Sequence, residues 1–266
     1  MGGKSGGTKV LDRQGLRQLF DMTGRVVVVT GGTRGIGLAL AAGYVAAGAK
    51  VVVASRKAEA CEQAAARLRH LGGDALGKAT HLGDLDALDA LVAYTADSFG
   101  GIDVVVNNAA NSLTQPLGAF SPEAWSKSFD VNLRGPVFLV QKALPYLTAS
   151  SHAAVLNVIS VGAFIFSPSV AMYAAAKAAL MSFTRSMAAG YAAHDIRVNA
   201  LAPGSVDTDM VRNNPPESQR AMAAASFQGR IATPEEMVGP ALLLCSDAGS
   251  FITGQVLIAD GGMTPH

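Results

Sequence analysis

Ser160, Tyr173 and Lys177 are the residues whose types and spacing point to chemistry. Ser160 follows the apolar run 153–159, which reads as a buried strand, so its hydroxyl is expected at a strand's carboxyl end. Residues 171–188 are rich in Ala, Met and Leu and contain neither Gly nor Pro. That composition favours a helix and sets Tyr173 and Lys177 one turn apart on one face. A phenol with a pKa near ~10 exchanges protons poorly at neutral pH unless its phenolate is stabilised, and an ammonium one turn away does this. A serine hydroxyl brought to the same place holds a carbonyl or alcohol oxygen beside the phenol. The expected chemistry is proton transfer at a C–O centre. A Tyr and a Lys four apart usually mean no more than a half-buried phenol beside a solvated amine, so the elements around them must carry the rest.

Those elements have to come from a chain of 266 residues, 50% hydrophobic and 15% charged, which is enough for one large domain with a substantial core. With 21 basic and 20 acidic residues the net charge is +1, which gives no electrostatic case for a nucleic acid or an anionic membrane as partner. No apolar segment reads as membrane-spanning, and residues 1–9 carry Gly and Lys without an apolar signal core. The expectation is a soluble, cytoplasmic protein with a short extension, 1–20, ahead of a single domain, 21–266. Cys61 and Cys245 read as core or helix-face thiols. His70, His81, His152, His194 and His266 show no paired ligand spacing, so no metal site is expected.

Along the chain, Val26 to Val29 suit a strand buried on both faces, as in a parallel sheet. The strand runs into Gly31-Gly32-Thr33-Arg34-Gly35-Ile36-Gly37 and then an Ala- and Leu-rich helix, 38–47. Glycines there allow a tight turn and close backbone approach, and the helix start offers N–H groups to an anion. A second Val-rich strand, 50–54, ends in Ser55-Arg56-Lys57. An acidic residue at that strand end hydrogen-bonds the ribose of NAD, whereas a basic one accommodates the extra phosphate of NADP. Ser55 stands where the acid would be, and Arg56 and Arg34 are expected to converge on one phosphate.

A helix over 57–70 and a strand over 76–82 come next, and Asp84, Asp86 and Asp89 read as the solvated first turn of a helix reaching Phe99. A strand over 102–106 enters Asn107-Asn108-Ala109-Ala110. Ser121-Pro122-Glu123 opens a long helix that carries Asn132 in its middle, where Asn is unfavourable. A sixth strand, 196–202, leads into Pro203-Gly204, and 209–230 reads as a mobile lid broken by Asn213-Asn214-Pro215-Pro216. Thr233-Pro234-Glu235-Glu236 is a capping box, and the chain closes with a strand within 251–262. The expected fold is α/β, a doubly wound, Rossmann-like parallel sheet of seven strands with helices on both faces and the ligand crevice at the strands' carboxyl ends.

The 13-residue step from Ser160 to Tyr173, the Tyr-x-x-x-Lys pair and the Thr30-Gly31-x-x-x-Gly35-x-Gly37 turn together resemble the short-chain dehydrogenase/reductase family over roughly 21–264. The resemblance implies a Ser160, Asn132, Tyr173, Lys177 tetrad, with Asn132 distorting its helix and holding a water linked to the lysine. It implies that Gly31, Thr33, Arg34, Gly35, Ile36 and Gly37 cradle the cofactor pyrophosphate and adenosine ribose, with Ser55, Arg56 and Leu82 on the adenosine side. Asn108 and Ala109 would line the cofactor, Tyr173 and Lys177 would reach its nicotinamide ribose, and Pro203, Gly204, Val206 and Thr208 would hold its carboxamide. The chain departs from the family at His81, where an Asp commonly meets the adenine amine, and at Ala110, where Gly is usual. NADP(H) is the implied cofactor, NAD(H) an option, a homotetramer the implied assembly, and a carbonyl or secondary alcohol the substrate. A 3-oxoacyl thioester or another hydrophobic ketone fits Phe164, Ile165, Phe166, Met172 and Met210, which read equally as core or subunit contacts. The alternatives are a cofactor-binding regulatory or scaffold protein on the same fold, and an enoyl reductase acting on C=C.

Overall fold

The structure, a computed structural model, describes residues 10–113, 115–166 and 168–264. Of the extension 1–20, residues 1–9 lie outside the described residues, as does His266. The remainder forms α1 (Arg13–Leu19), capped by Asp12, whose carboxylate accepts from the Gly15 N–H at 2.7 Å. This helix buries no side chain, in keeping with a loosely packed lead.

The domain then alternates: β1 (Val26–Thr30), α2 (Gly35–Ala46), β2 (Lys50–Ser55), α3 (Ala58–His70), β3 (Ala75–Ala79), α4 (Leu85–Phe99) and β4 (Val104–Asn107). Next come α5 (Pro122–Phe129), a π-helical turn (Asp130–Arg134) and α6 (Gly135–Ala149), followed by β5 (Ala154–Val158), α7 (Ala171–Tyr191) and β6 (Arg197–Pro203). The chain ends with α8 (Asp209–Arg212), α9 (Pro216–Ala224), α10 (Val238–Cys245) and β7 (Val256–Ala259). All strand pairs are parallel, in the order β3-β2-β1-β4-β5-β6-β7. The sequence order reverses between β1 and β4, the switch point at whose carboxyl ends sheets of this kind bind their ligands.

The valine runs explain the layering. Val27 and Val29 of β1 pack with α2 and α10, whereas Val28 packs with Leu88 and Leu91 of α4 and Leu139 of α6. Successive side chains point to opposite faces, so a continuous apolar run serves two helix layers at once. In the same way β5 turns Leu156 and Val158 to the first layer and Val155 to the second.

One expected strand end is corrected. β3 stops at Ala79, three residues before Leu82, because its partner β2 ends at Ser55. The chain then turns, with Thr80 N–H donating to the Ser55 carbonyl at 2.7 Å and Asp84 N–H to the His81 carbonyl at 3.0 Å. β7 takes up the part of 251–262 from Val256 to Ala259, as expected, and the Asn199 side chain of β6 holds the backbone of the segment before it. Asn199 donates to the Ile252 carbonyl at 2.8 Å and accepts from Gln255 N–H at 3.0 Å. The helix expected through Asn132 is continuous in direction but contains the π-turn, with Asn132 fully buried inside it.

Candidate active site

Ser160 leaves β5 in extended conformation and its Oγ accepts from Gly162 N–H at 3.1 Å, which fixes the hydroxyl at the strand's carboxyl end. Tyr173 stands on the first turn of α7, with its ring and the Ser160 Oγ on either side of Gly162. One turn on, Lys177 is only 1% exposed, and its Nζ donates to the Val158 carbonyl of β5 at 2.7 Å. The serine, phenol and lysine therefore meet through one strand and one helix.

The electrostatics differ in one respect from the sequence expectation. Burial pushes the Tyr173 phenol above its ordinary value, and the nearby Ser160 hydroxyl offsets only part of this. The Lys177 ammonium, 5.7 Å from the centre of the phenol ring, does not bring the phenol down in this geometry. Burial also lowers Lys177 itself, to about 8. The lysine thus stays mostly cationic at neutral pH but is held there at a cost in desolvation.

Asn132 sits in the π-helical turn that packs against α7, and its partners identify a residue that sequence reasoning missed. Its Oδ1 accepts from Asn111 N–H at 3.1 Å, and its Nδ2 donates to the Asn111 carbonyl at 2.9 Å. Asn132 clamps the loop that follows β4, and the π-turn is the helix distortion expected around it. Asn111 has no local signal beyond lying just past Asn107-Asn108-Ala109-Ala110. Ala110 does not adopt positive φ, so a methyl is accommodated where Gly is usual.

The glycine-rich turn lies between β1 and α2. Gly31 has φ +66°, and a Cβ there would stand 2.8 Å from the Ala109 Cα, while a Cβ on Gly37 would collide with the Gly31 carbonyl and the Asn108 amide. Asn108 Nδ2 donates to the Thr30 carbonyl at 2.9 Å, and the Thr30 hydroxyl accepts from the N–H groups of Asn108 and Ala109. Asn108 and Ala109 therefore brace the turn. Arg34 occupies the N-cap of α2 in extended backbone and its side chain does not cap the helix, which leaves the helix start to an anion. The residues of this turn fit a dinucleotide pyrophosphate on these grounds.

The other expected cofactor contacts fall as follows. Ile36 packs partly into the core, and Thr33 is half-buried in the turn. Ser55 ends β2, half-buried, and Arg56 beyond it is exposed. Leu82 is buried against α6 and His81 is exposed, its Nδ1 accepting from Gly83 N–H at 3.1 Å. Pro203 ends β6, and Gly204 sits so close to Asp260 that a Cβ would stand 2.8 Å from its Cα. Val206 is buried in a short bridge to Ala232, and Thr208 abuts Gly35. Arg34 Nη1 donates to Asp209 Oδ2 at 2.7 Å, so in this structure its charge is drawn to α8, while Arg56 stays exposed just beyond the end of β2. Among the apolar candidates, Met172 is buried and Phe164 packs partly against Leu180, while Ile165, Phe166 and Met210 are exposed.

A buried polar chain supports α7 from below. Asn107 Nδ2 donates to Asn157 Oδ1 at 2.9 Å, Asn157 Nδ2 to Thr184 Oγ1 at 2.9 Å, and Thr184 Oγ1 to the Leu180 carbonyl at 2.8 Å. Tyr173, Lys177, Leu180 and Thr184 follow one helical stripe, so the chain anchors the helix two turns beyond the lysine. Replacing Thr184 by Val, its isostere, strands the buried Asn157 amide and should cost about 1–3 kcal/mol. Urea titration is expected to show this as a lower midpoint, with Thr184→Ser closer to wild type; equal midpoints for wild type and Thr184→Val would remove the anchoring role.

Comparison with known proteins completes the picture. Residues 30–264 match the family model described as Enoyl-(Acyl carrier protein) reductase. The chain is 39% identical to cis-4-hydroxycyclohexanecarboxylate dehydrogenase of Sinomonas cyclohexanicum, over 90% of this chain and 96% of that one. It is 34% identical to dehydrogenase/reductase SDR family member 4 of Homo sapiens, over 93% of this chain and 90% of that one. The crystal structure of a 3-oxoacyl (acyl-carrier-protein) reductase from Agrobacterium tumefaciens C58 with NADP bound superposes with a TM-score of 0.86, at 34% identity, covering 93% of this chain and 97% of that one.

Proposed function

Because the chain belongs to the short-chain dehydrogenase/reductase family, and is thereby an oxidoreductase of CH–OH and C=O centres, we propose that it uses NADP(H) on a hydrophobic ketone or its secondary alcohol. The observation that carries this reading is that Ser160 at the end of β5 and Tyr173 on α7 flank the same glycine, Gly162, with Lys177 buried one turn along α7 and tied to the β5 carbonyl of Val158. A dinucleotide held by its pyrophosphate at the glycine-rich turn would supply or take up the hydride at its nicotinamide end. Ser160 polarises the substrate oxygen, and Tyr173 gives it a proton in reduction and removes one in oxidation. Lys177 keeps a positive charge behind the phenol and reaches the nicotinamide ribose, and Asn132 holds the loop after β4 and supports the proton relay. Gly31, Gly35 and Gly37 admit the pyrophosphate, and the backbone around Pro203, Gly204, Val206 and Thr208 holds the carboxamide.

The substrate reading is a cyclic or long-chain ketone, a 3-oxoacyl thioester included. It is supported by the exposed Ile165, Phe166 and Met210 around the site, and by a relative named for a hydroxycyclohexanecarboxylate. NADPH oxidation against cyclic ketones, 3-oxoacyl thioesters, ketoses and an enoyl thioester is the direct test. Turnover of ketones with NADPH is expected. Tight NADPH binding without turnover would move the reading to a scaffold, and turnover confined to the enoyl thioester would move it to C=C reduction.

The choice of NADP(H) rests on Arg34 and Arg56 beside a strand end without an acid. A charge-assisted hydrogen bond from each arginine to the phosphate predicts that Arg34→Ala with Arg56→Ala weakens NADPH binding at least about 10-fold. NADH binding should change less than about twofold. Equal losses for both cofactors would mean that neither arginine meets the extra phosphate.

The homotetramer is proposed through α5 and α7, whose Trp125 and Phe183 are large and half-exposed. A cytoplasmic place is supported by Cys61 and Cys245, both buried as free thiols. No helix among the described residues is long and apolar enough to cross a membrane.

A further inference from the structure

We infer that Asp209, the first residue of the lid helix α8, sets the affinity for a 2′-phosphorylated cofactor by competing for Arg34; the inference rests on the NADP(H) reading. Arg34 and Asp209 are 175 residues apart in sequence, yet their Nη1 and Oδ2 stand 2.7 Å apart. The contact does not depend on two long side chains meeting by chance. The start of the lid is packed against the cofactor turn, with the Thr208 Cγ2 3.0 Å from where a Cβ on Gly35 would stand. Gly35 itself has φ +53°, so the turn presents bare backbone to that methyl.

The other basic group on α8 is already engaged. Arg212 grips Asp207 with two bonds, at 2.6 and 2.9 Å, so the Asp209 carboxylate is left to Arg34. Both side chains are open to solvent, 74% for Arg34 and 48% for Asp209. An exposed pair of this kind is worth a few-fold in an equilibrium constant, which makes it a contact that a stronger anion can displace. A phosphate monoester carries more charge than a carboxylate and offers three acceptor oxygens to the guanidinium fork.

Binding of NADP(H) therefore requires Arg34 to turn away from Asp209 or to be shared with it, and the carboxylate left nearby repels the phosphate. NAD(H) places no such demand on Arg34. Asp209 is in this sense a restraint on cofactor affinity that acts only on the phosphorylated form.

The experiment is fluorescence titration of wild type, Asp209→Asn and Arg34→Ala with NADPH and, separately, NADH. Asp209→Asn should bind NADPH about 3-fold more tightly and NADH as wild type does, with an unchanged melting temperature. NADPH binding that is unchanged or weaker in Asp209→Asn, while Arg34→Ala loses NADPH affinity, overturns the competition and leaves the NADP(H) reading standing. NADPH binding unchanged in Arg34→Ala overturns the reading on which the inference rests, and the inference with it.

Discussion

Tyr173→Phe should lower turnover by about 10³-fold or more while leaving NADPH binding and the fold in place. The substitution removes one oxygen from a phenol whose ring stays packed at the start of α7, and it removes the group that exchanges a proton with the substrate. Positioned acid–base groups contribute roughly 10²–10⁴-fold, and the upper part of that range is expected because the Tyr173 ring is brought beside the Ser160 hydroxyl before any substrate binds. Substrate KM should move little, since Ser160 still holds the oxygen. The measurement is single-turnover oxidation of bound NADPH by a ketone that wild type reduces. If Tyr173→Phe keeps a tenth of the wild-type rate, the phenol is not the proton donor and the reading of the site fails.

Lys177→Met is expected to abolish turnover and at the same time to change how stability depends on pH. Lys177 is 1% exposed, and burial lowers its pKa from about 10.5 to about 8. A lysine with a depressed folded pKa binds fewer protons in the folded state, so its presence destabilises the protein most at low pH. Below about pH 8 it is charged in both states and the full cost applies, about 3 kcal/mol from the size of the shift. Between about pH 8 and 10.5 the folded form is neutral while the unfolded form is still charged, and the cost fades; above that it is gone.

Relative to Lys177→Met, wild type should therefore gain about 3 kcal/mol as pH rises from 7 to 10.5. At pH 7 the variant should equal or exceed wild type in stability, because the relieved desolvation is offset by loss of the Lys177–Val158 hydrogen bond. Urea unfolding of both proteins at several pH values reads this directly. Parallel pH profiles would show that Lys177 is not held at a desolvation cost. An active site that destabilises its own fold in this way is the expected trade between function and stability.

The sequence by itself determined the architecture and the chemistry-bearing side chains, because both are written in local pattern. Four consecutive valines in β1 can only serve a strand covered on both faces, and Val27 and Val28 do pack to opposite layers. The glycine-rich turn between a strand and a helix, and Tyr173 and Lys177 one turn apart on α7, are likewise short-range facts. Family membership followed from the same residues. One strand end was less legible: β3 stops where β2 stops. An end set by a neighbouring strand leaves no mark in its own residues.

The partners of the site were decided only by the tertiary structure. Arg34 looks from sequence like a free charge beside a phosphate, yet α8 brings Asp209 to it from 175 positions away. Asn132 signals an irregular helix but not the Asn111 loop it clamps, and Asn157 and Thr184 are unremarkable residues until β5 and α7 are stacked. The sign of the phenol's shift belongs to the same class, since a lysine one turn away lowers a neighbour's pKa in water, while burial raises Tyr173 and lowers Lys177 together. Periodicity and residue type are properties of a segment, whereas desolvation and ion pairing depend on what the rest of the chain brings into contact with it.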